Sequence, residues 1–422
     1  MKRVVRSLAG AVGAVAAIAV AGALAGVSGL SSAHAQQPQT VRIGVVQPMS
    51  GSLASYGQES QPVLQYMVDR INAEGGIRSM GGAKLQLVLA DDAGKPALTA
   101  AEGRRLMAEE KVPLVVGSLF TNHLMALSPV ADEHKVPTLS IYGAASQSPY
   151  IFALGLPYDR GYAQSMVDFI RWLDKEKGVP VKRVVTAYSN YEGAQQINKH
   201  ITARLQQYGY EVVGDVPLDM KANDLIPAML KIRSYKPDVV VGLKLRPEAV
   251  KLHRARHDLK ALDGIFVEAT GSADGAFWNE LSDDIARQVL AKNFFALSLY
   301  APTDRLPAAR DLASAMDQSG KLPDRFGQIA VSAAQAILVV RNALEAAGSI
   351  DPEKLRAAIA AVNLPFGNPD MVFPRQGGVS FGEDRLTKHG ETLVVQWAPN
   401  KTNEVVYPPA FATTAPRLGD KR

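Results

Sequence analysis

The chain has 422 residues, 47% of them hydrophobic and 21% charged, with no Cys and a formal net charge of +5. That balance supplies enough apolar material for two or three domains or one large two-lobed unit, and excludes a disordered chain. The missing Cys removes disulfide scaffolds, thiol nucleophiles, thiolate zinc sites, iron–sulfur clusters and the lipidated cysteine of a bacterial lipoprotein.

The first residues explain much of the charge. Lys2, Arg3 and Arg6 precede an apolar run, Ala9–Leu30, and the small-x-small site Ala33-His34-Ala35 follows it. A basic start, an apolar stretch and small residues at the exit predict a secretory signal peptide cleaved after Ala35, in preference to an uncleaved anchor. Residues 1–35 hold three cations and no Asp or Glu, so the mature chain keeps 43 cations against 41 anions, a net of +2. An exported chain so nearly neutral is a poor nucleic-acid binder. No second run of 18 or more apolar residues follows, so a soluble periplasmic protein is expected.

After a short linker the pattern alternates. Val41–Val46 reads as a strand, Gly57–Ala73 as a helix closed by Gly75-Gly76, and Lys84–Leu89 as a strand. A helix over Ala97–Glu110, a strand at Leu114–Val116, a helix to His134 and a strand at Thr138–Ile141 continue it. Short apolar strands alternating with amphipathic helices predict βαβ units and a parallel sheet. A second block repeats the rhythm, with helices at Gly161–Lys175, Gly193–Tyr208, Leu225–Tyr235 and Glu248–Leu259 and a short one at Asp274–Leu281. Its strands are Arg183–Ala187, Glu211–Val216, Asp238–Val241 and Gly264–Val267. The third section offers helices at Ala308–Gln318, Phe326–Ala347 and Pro352–Ala361 and one strand at Thr392–Gln396. Helices without strands of their own must pack on an existing sheet, so the chain is expected to cross between lobes more than once. Gly155–Gly161, Tyr300–Pro307 and Pro365–Gly382 are the candidate crossings.

Enzymatic signatures are absent from the mature sequence: there is no G-x-S-x-G elbow, Walker loop or H-E-x-x-H. His253 and His257 sit four apart on a predicted helix, a spacing that can hold a metal. Lys251, Arg254 and Arg256 interleave with them, so a solvated basic face is expected instead. Asp91-Asp92 follows a strand and precedes a helix, which favours a turn and capping role.

The loops after the strands carry more information, because doubly wound sheets bind ligands there. They read Gln47-Pro48-Met49-Ser50-Gly51, Gly117-Ser118-Leu119-Phe120-Thr121-Asn122 and Tyr142-Gly143-Ala144-Ala145-Ser146-Gln147-Ser148. Each mixes Gly with small hydroxyls just before a helix. Free backbone N–H groups and hydroxyl donors at such a junction suit an anion, typically a carboxylate. A single loop of this kind is ordinary capping; three converging at one sheet edge favour a site.

These loops, within V-R-I-G-V-V-Q-P-M-S-G-S-L-A-S-Y-G, I-N-A-E-G-G-I and L-Q-L-V-L-A-D-D over Val41–Asp92, closely resemble the periplasmic branched-chain amino-acid-binding proteins, the binding components of ABC importers. Val115–Ser118, Val136–Ser146, Tyr188–Gly193, Pro237–Val241 and Arg246-Pro247-Glu248 extend the resemblance, which runs from Val41 to Gln396.

The resemblance implies an α/β fold: a two-lobed type I periplasmic binding protein. Each lobe is a doubly wound, mostly parallel sheet flanked by helices, with three interlobe crossings. Lobe I is expected over 40–158 and 298–385, lobe II over 159–297 and 386–415. A ligand is held between lobes that close by a hinge. The family's carboxylate-binding positions fall on Thr121, Ala144 and Ser146, and its pocket-walling aromatics on Tyr56 and Tyr191. Family members that take amino acids set a carboxylate near Thr270 for the ligand ammonium; here Glu268 stands two positions earlier. Lys244 and Arg246 follow the preceding strand, where a cation either suits a second ligand carboxylate or is simply solvated. The disulfide of the best-known members would fall at Gly94 and Phe120 and is therefore absent.

The reading is a periplasmic solute-binding protein with no catalysis, cofactor or metal. It captures a small carboxylate-bearing ligand, an aliphatic amino acid in preference to an aromatic or dicarboxylic acid. It is expected to be a monomer that delivers the ligand to an inner-membrane ABC permease. The rivals are a sensory module of the same fold and, further off, a secreted α/β enzyme.

Overall fold

The structure is a computed structural model that describes residues 40–143, 148–261, 263–269, 271–301, 303–323 and 326–419. The expected signal peptide lies outside the described residues, as do Ala144, Ser146 and Thr270.

The strands fall into two large sheets. The first holds β1 (Thr40–Gln47), β2 (Lys84–Asp91), β3 (Leu114–Gly117), β4 (Thr138–Ser140) and β5 (Ile151–Ala153), in the order β2-β1-β3-β4-β5 and all parallel. Its helices are α1 (Ala54–Ala73), α2 (Pro96–Arg104) and α3 (Thr121–His134). β3 is buried along its whole length, as a parallel strand covered on both faces must be.

The chain then turns through Tyr158–Ala163 into α4 (Gln164–Lys175) and the second sheet. There β6 (Arg183–Ser189), α5 (Glu192–Gln207), β7 (Glu211–Leu218), α6 (Ile226–Ser234), β8 (Val239–Leu243) and α7 (Arg246–Asp258) alternate. β9 (Ile265–Ala269), α8 (Gly275–Leu281), α9 (Asp283–Leu290) and β10 (Phe294–Ser298) complete its parallel part.

Three helices follow: α10 (Pro307–Ser319), α11 (Gln328–Ala347) and α12 (Pro352–Ala360). α11 packs on α1, so the late helical section covers the first sheet. α11 is long and apolar enough to cross a membrane by length and composition, although its sequence is no uninterrupted apolar run. Nearly all of it is buried, including Gln328, Ser332 and Gln335, and it serves as a core helix. After a small hairpin of β11 (Asn363–Leu364) and β12 (Val379–Ser380), the chain returns to the second sheet. There β13 (Leu393–Trp397) and β14 (Asn403–Tyr407) pair antiparallel, giving the order β14-β13-β10-β9-β8-β6-β7.

Sequence periodicity misses β5, β10 and β14, and the two-residue strands β11 and β12. β5 and β10 are short and buried at every position, so nothing in them alternates. β14 is an edge strand whose register slips between Val394 and Val395 of its partner.

The expected solvated basic face of α7 is corrected. His253 and Arg256 are fully buried, because α7 is packed between α6 on one flank and α8 and α9 on the other. His253 lies among Phe266, Phe277 and Phe294, with ring centroids 5.1–5.9 Å away. Asp91 and Asp92 organise a turn: Asp91 Oδ1 accepts from the N–H of Met49, Ser50 and Ala93, and Asp92 Oδ1 from that of Gly94.

Candidate ligand-binding cleft

The carboxyl ends of β3 and β4 in the first sheet and of β6 and β8 in the second converge on one cavity of about 30 Å³. Chain order decides which side chains reach it. Thr121 opens α3 just after β3, Tyr142 and Gly143 follow β4, and Tyr191 precedes α5 after β6. Leu243 ends β8, Leu245 immediately precedes α7, and Tyr56 comes from the first turn of α1. Tyr158 and Tyr162 come from the turn that carries the chain to the second sheet.

Five tyrosines line the cavity together with Phe120, Leu119, Ile197 and Ile329, and no charged side chain is among the described lining residues. Tyr56 meets Phe120 edge-on, centroids 5.3 Å apart, the arrangement that ring quadrupoles favour. The Tyr158 hydroxyl donates to Thr121 Oγ1 at 2.6 Å, and the Tyr142 hydroxyl donates to Gln328 Oε1 at 2.8 Å. A Cβ at residue 193 would stand 2.9 Å from the Tyr191 ring and 3.1 Å from the Tyr158 hydroxyl. Gly193 thus lets both tyrosines lie over the start of α5.

Burial holds the phenols neutral. It pushes Tyr56 and Tyr158 up to about 12, and Tyr142, Tyr162 and Tyr191 well above the usual tyrosine range. A neutral phenol can both donate and accept, so the wall can hydrogen-bond a ligand of either polarity while stacking on its flat or apolar surface.

Two charged clusters sit behind this wall. In the first, the Arg246 N–H donates to the Tyr56 hydroxyl at 3.1 Å, and its guanidinium lies 4.8 Å from the Tyr56 ring centroid. Arg246 Nη2 reaches Glu59 Oε1 at 2.8 Å and Asp274 Oδ2 at 3.2 Å, joining α1, α7 and the start of α8. In the second, Glu268 Oε1 takes Lys244 Nζ at 3.0 Å and lies 3.0 Å from His253 Nε2, while Oε2 accepts from Ser272 Oγ at 2.7 Å. All four residues are fully buried. Burial raises the Glu268 carboxyl, but the Lys244 charge and His253 outweigh it and bring the group down to about 2.

Of the residues singled out from sequence, Tyr56, Thr121 and Tyr191 come together in the cleft. Lys244 and Glu268 do not line it; they form an ion pair with each other inside the second sheet. Sequence reasoning passed over Tyr142, Tyr158 and Tyr162 as site residues. Tyr158 and Tyr162 carried a usable signal: two aromatics four apart, one inside the Pro- and Gly-bearing crossing Gly155–Gly161 and one just past it, a spacing that puts both on one side of a helical turn.

An uncharged aromatic cleft at the strand ends of two sheets, one on each side, is built to hold a small molecule; such an arrangement defines a solute-binding protein of the two-sheet α/β type. The periplasmic binding protein family model matches residues 40–401, and the chain belongs to that family. Leu/Ile/Val-binding protein homolog 7 of Brucella abortus is 24% identical over 396 residues, covering 90% of this chain and 94% of its own. Among solved structures, the branched-chain amino acid transporter substrate binding protein LivJ of Streptococcus pneumoniae, in complex with isoleucine, superposes with a TM-score of 0.72 at 23% identity. That match covers 88% of this chain and 100% of LivJ. A solute binding protein of an ABC transporter from Rhodopseudomonas palustris, in complex with 4-hydroxybenzoate, gives 0.72 at 22% identity, covering 86% and 95%. These likenesses fix the type I fold. The family binds solutes and does not transform them, so the protein is not an enzyme, and its place is periplasmic or extracellular.

Proposed function

We propose that the protein captures a small aromatic carboxylate, of the size of a hydroxybenzoate, and delivers it to an inner-membrane ABC permease. The observation that carries the ligand class is the wall of five tyrosines and Phe120 with no charged side chain among the described lining residues. An amino acid would bring an ammonium into a dry cleft, where an unpaired charge is costly. The acceptor expected for it, Glu268, is already held by Lys244, His253 and Ser272. An aromatic acid needs flat surfaces and hydroxyls, which the tyrosines supply, and a carboxylate anchor. Thr121 with the loop that carries Ala144 and Ser146 is that anchor in this reading.

The cavity of about 30 Å³ has room for about two waters and not for such a ligand. A ligand enters when the lobes part, lobe I being 40–158 with 298–385 and lobe II 159–297 with 386–415. The monomer is exported, cleaved after Ala35, loaded in the periplasm and docked on the permease. The amino-acid reading keeps one support, the Leu/Ile/Val-binding relatives. Thermal-shift and calorimetric titrations with 4-hydroxybenzoate and isoleucine decide between the two. Ligand at a hundredfold excess over Kd adds about 2.7 kcal/mol of stability. A shift with 4-hydroxybenzoate is expected; a shift with isoleucine alone overturns the aromatic reading.

A further inference from the structure

Most buried cations of this protein are visibly answered. Lys244 has Glu268, Arg246 has Glu59 and Asp274, and Arg256 donates to the carbonyls of Ala261 and Val289. Arg375 differs. It is fully buried, and its side chain makes one hydrogen bond, from Nη2 to the Leu154 carbonyl at 2.9 Å. Among the described residues its Nε and Nη1 have no hydrogen-bond partner; the same is true of Arg246, but Arg246 has two carboxylates beside it and Arg375 has no ion pair. The guanidinium also lies 4.4 Å from the Phe373 ring centroid. Its sequence neighbours Pro374 and Gln376 line a separate surface pocket, whereas Arg375 is fully buried and is not among that pocket's lining residues.

The place it turns to adjoins the cleft. Leu154 is followed by Gly155, where a Cβ would stand 1.9 Å from the Tyr142 carbonyl oxygen and 2.9 Å from that of Gly143. Tyr142 and Gly143 both line the cleft. The Leu154–Gly155 segment, which accepts the Arg375 hydrogen bond, is therefore packed directly against the cleft wall. An uncompensated guanidinium in such a position is expensive unless an anion arrives to use it.

We propose that Arg375 is the anion-selecting charge of the cleft: it stands behind the Tyr142–Tyr162 wall and makes a site with no charged lining prefer a ligand carrying a carboxylate. This rests on the solute-binding reading and specifies the polarity of its ligand. Two further facts fit. Burial lowers the Arg375 guanidinium to about 10, and Glu391, which is exposed and paired with His389, offsets this only in part. Burial also raises Tyr142 and Tyr162, and the Arg375 charge works against the rise in both, so its field reaches both phenols. The Tyr142 hydroxyl gives its one proton to Gln328, so the phenol of this pair that turns to a carboxylate is Tyr162; the bound anion polarises that phenol toward donation and meets the positive charge behind the wall. The guanidinium orients and selects; it is a positioning residue, and the donors that touch the ligand are those of the wall.

The test compares an acid with its neutral amide. Calorimetry on the wild type, Arg375→Gln and Arg375→Lys would use 4-hydroxybenzoate and 4-hydroxybenzamide. The wild type is expected to prefer the acid. Arg375→Gln should lose about 10- to 100-fold in affinity for the acid, the scale of one charge-assisted interaction, and little for the amide. Arg375→Lys, which keeps the charge, should recover a substantial part. A merely structural role would weaken acid and amide alike, and that result overturns the proposal, as does an unchanged acid preference in Arg375→Gln. If Arg375→Gln does not fold, the Lys variant carries the test: loss of the acid preference despite a retained charge overturns it. Should the wild type bind isoleucine and not 4-hydroxybenzoate, the aromatic reading fails, and isoleucine against isoleucinamide applies the same criterion to Arg375. A wild type that binds neither acid overturns both.

Discussion

The cleft wall and the ionic core beneath the second sheet use polar side chains in opposite ways. The wall gathers tyrosines that burial keeps neutral, several with a hydroxyl bonded to one neighbour and capacity left over. The core gathers a lysine, a glutamate, a histidine and a serine that satisfy one another. Both regions follow strand ends and both contain residues that look like ligand contacts in the sequence. The difference teaches that a charge beside a binding site is not thereby part of it: a buried carboxylate that already takes three donors has little left for a ligand, whereas a half-satisfied hydroxyl does.

The strongest way to break this contrast is Glu268→Gln. It leaves the Lys244 cation buried without its counter-charge, which should cost about 3–5 kcal/mol of stability in urea unfolding. Affinity of the folded protein for 4-hydroxybenzoate should change less than about twofold, well under one lost charged hydrogen bond. Lost affinity with intact stability would put Glu268 in the site and erase the distinction. Combining Glu268→Gln with Lys244→Met removes both charges and should recover much of the lost stability.

Acid sharpens the same point. The Glu268 carboxyl sits at about 2, below its ordinary value of 4.5, so the folded state binds its proton less readily than the unfolded state. Its contribution is complete above pH 4.5 and is lost as the pH falls toward about 2, on the order of 3 kcal/mol in all. Stability-versus-pH curves of the wild type and the double variant should diverge in that window and run parallel above it. Parallel curves throughout would mean that the pair is not charged in the folded protein.

On the cleft side, Thr121→Ala should weaken 4-hydroxybenzoate binding by about 1.5–3 kcal/mol, if the hydroxyl serves the carboxylate. Calorimetry reads this directly, and unchanged affinity would move the anchor elsewhere. Smallest of all, Tyr158→Phe removes the hydroxyl that bonds Thr121 and keeps the ring. A loss of about 0.5–1.5 kcal/mol in affinity is expected; a much larger one would give that hydroxyl a direct ligand contact.

The alternation of strands and helices was legible because each amphipathic helix keeps its own period. The strand-end loops were legible because Gly and hydroxyl residues cluster there, and they led to Tyr56, Thr121 and Tyr191, which the cleft does bring together. The second-sheet contribution was harder. β9 is buried at all five positions, so residue parity could not say whether Glu268 turns to the cleft or to α7. Its partner His253 looked solvated because the residues around it are basic, while the three phenylalanines that enclose it come from β9, α8 and β10. Tyr158 and Tyr162 share one helical turn, but Tyr142 meets them only after the chain has folded back on itself, which no local pattern reports.

The order in which the chain visits its two sheets has a consequence for how the protein folds. α11 covers the first sheet yet comes after β10, and β13 and β14 finish the second sheet only when 393–407 have been laid down. Neither half is a contiguous stretch of sequence, so neither can reach its final state while the other is unfinished. Early intermediates would expose β10 along an edge that awaits β13, and closing that edge takes a loop of nearly a hundred residues. Unfolding should therefore pass through a single cooperative transition, and a chain cut short before β13 should fail as a whole.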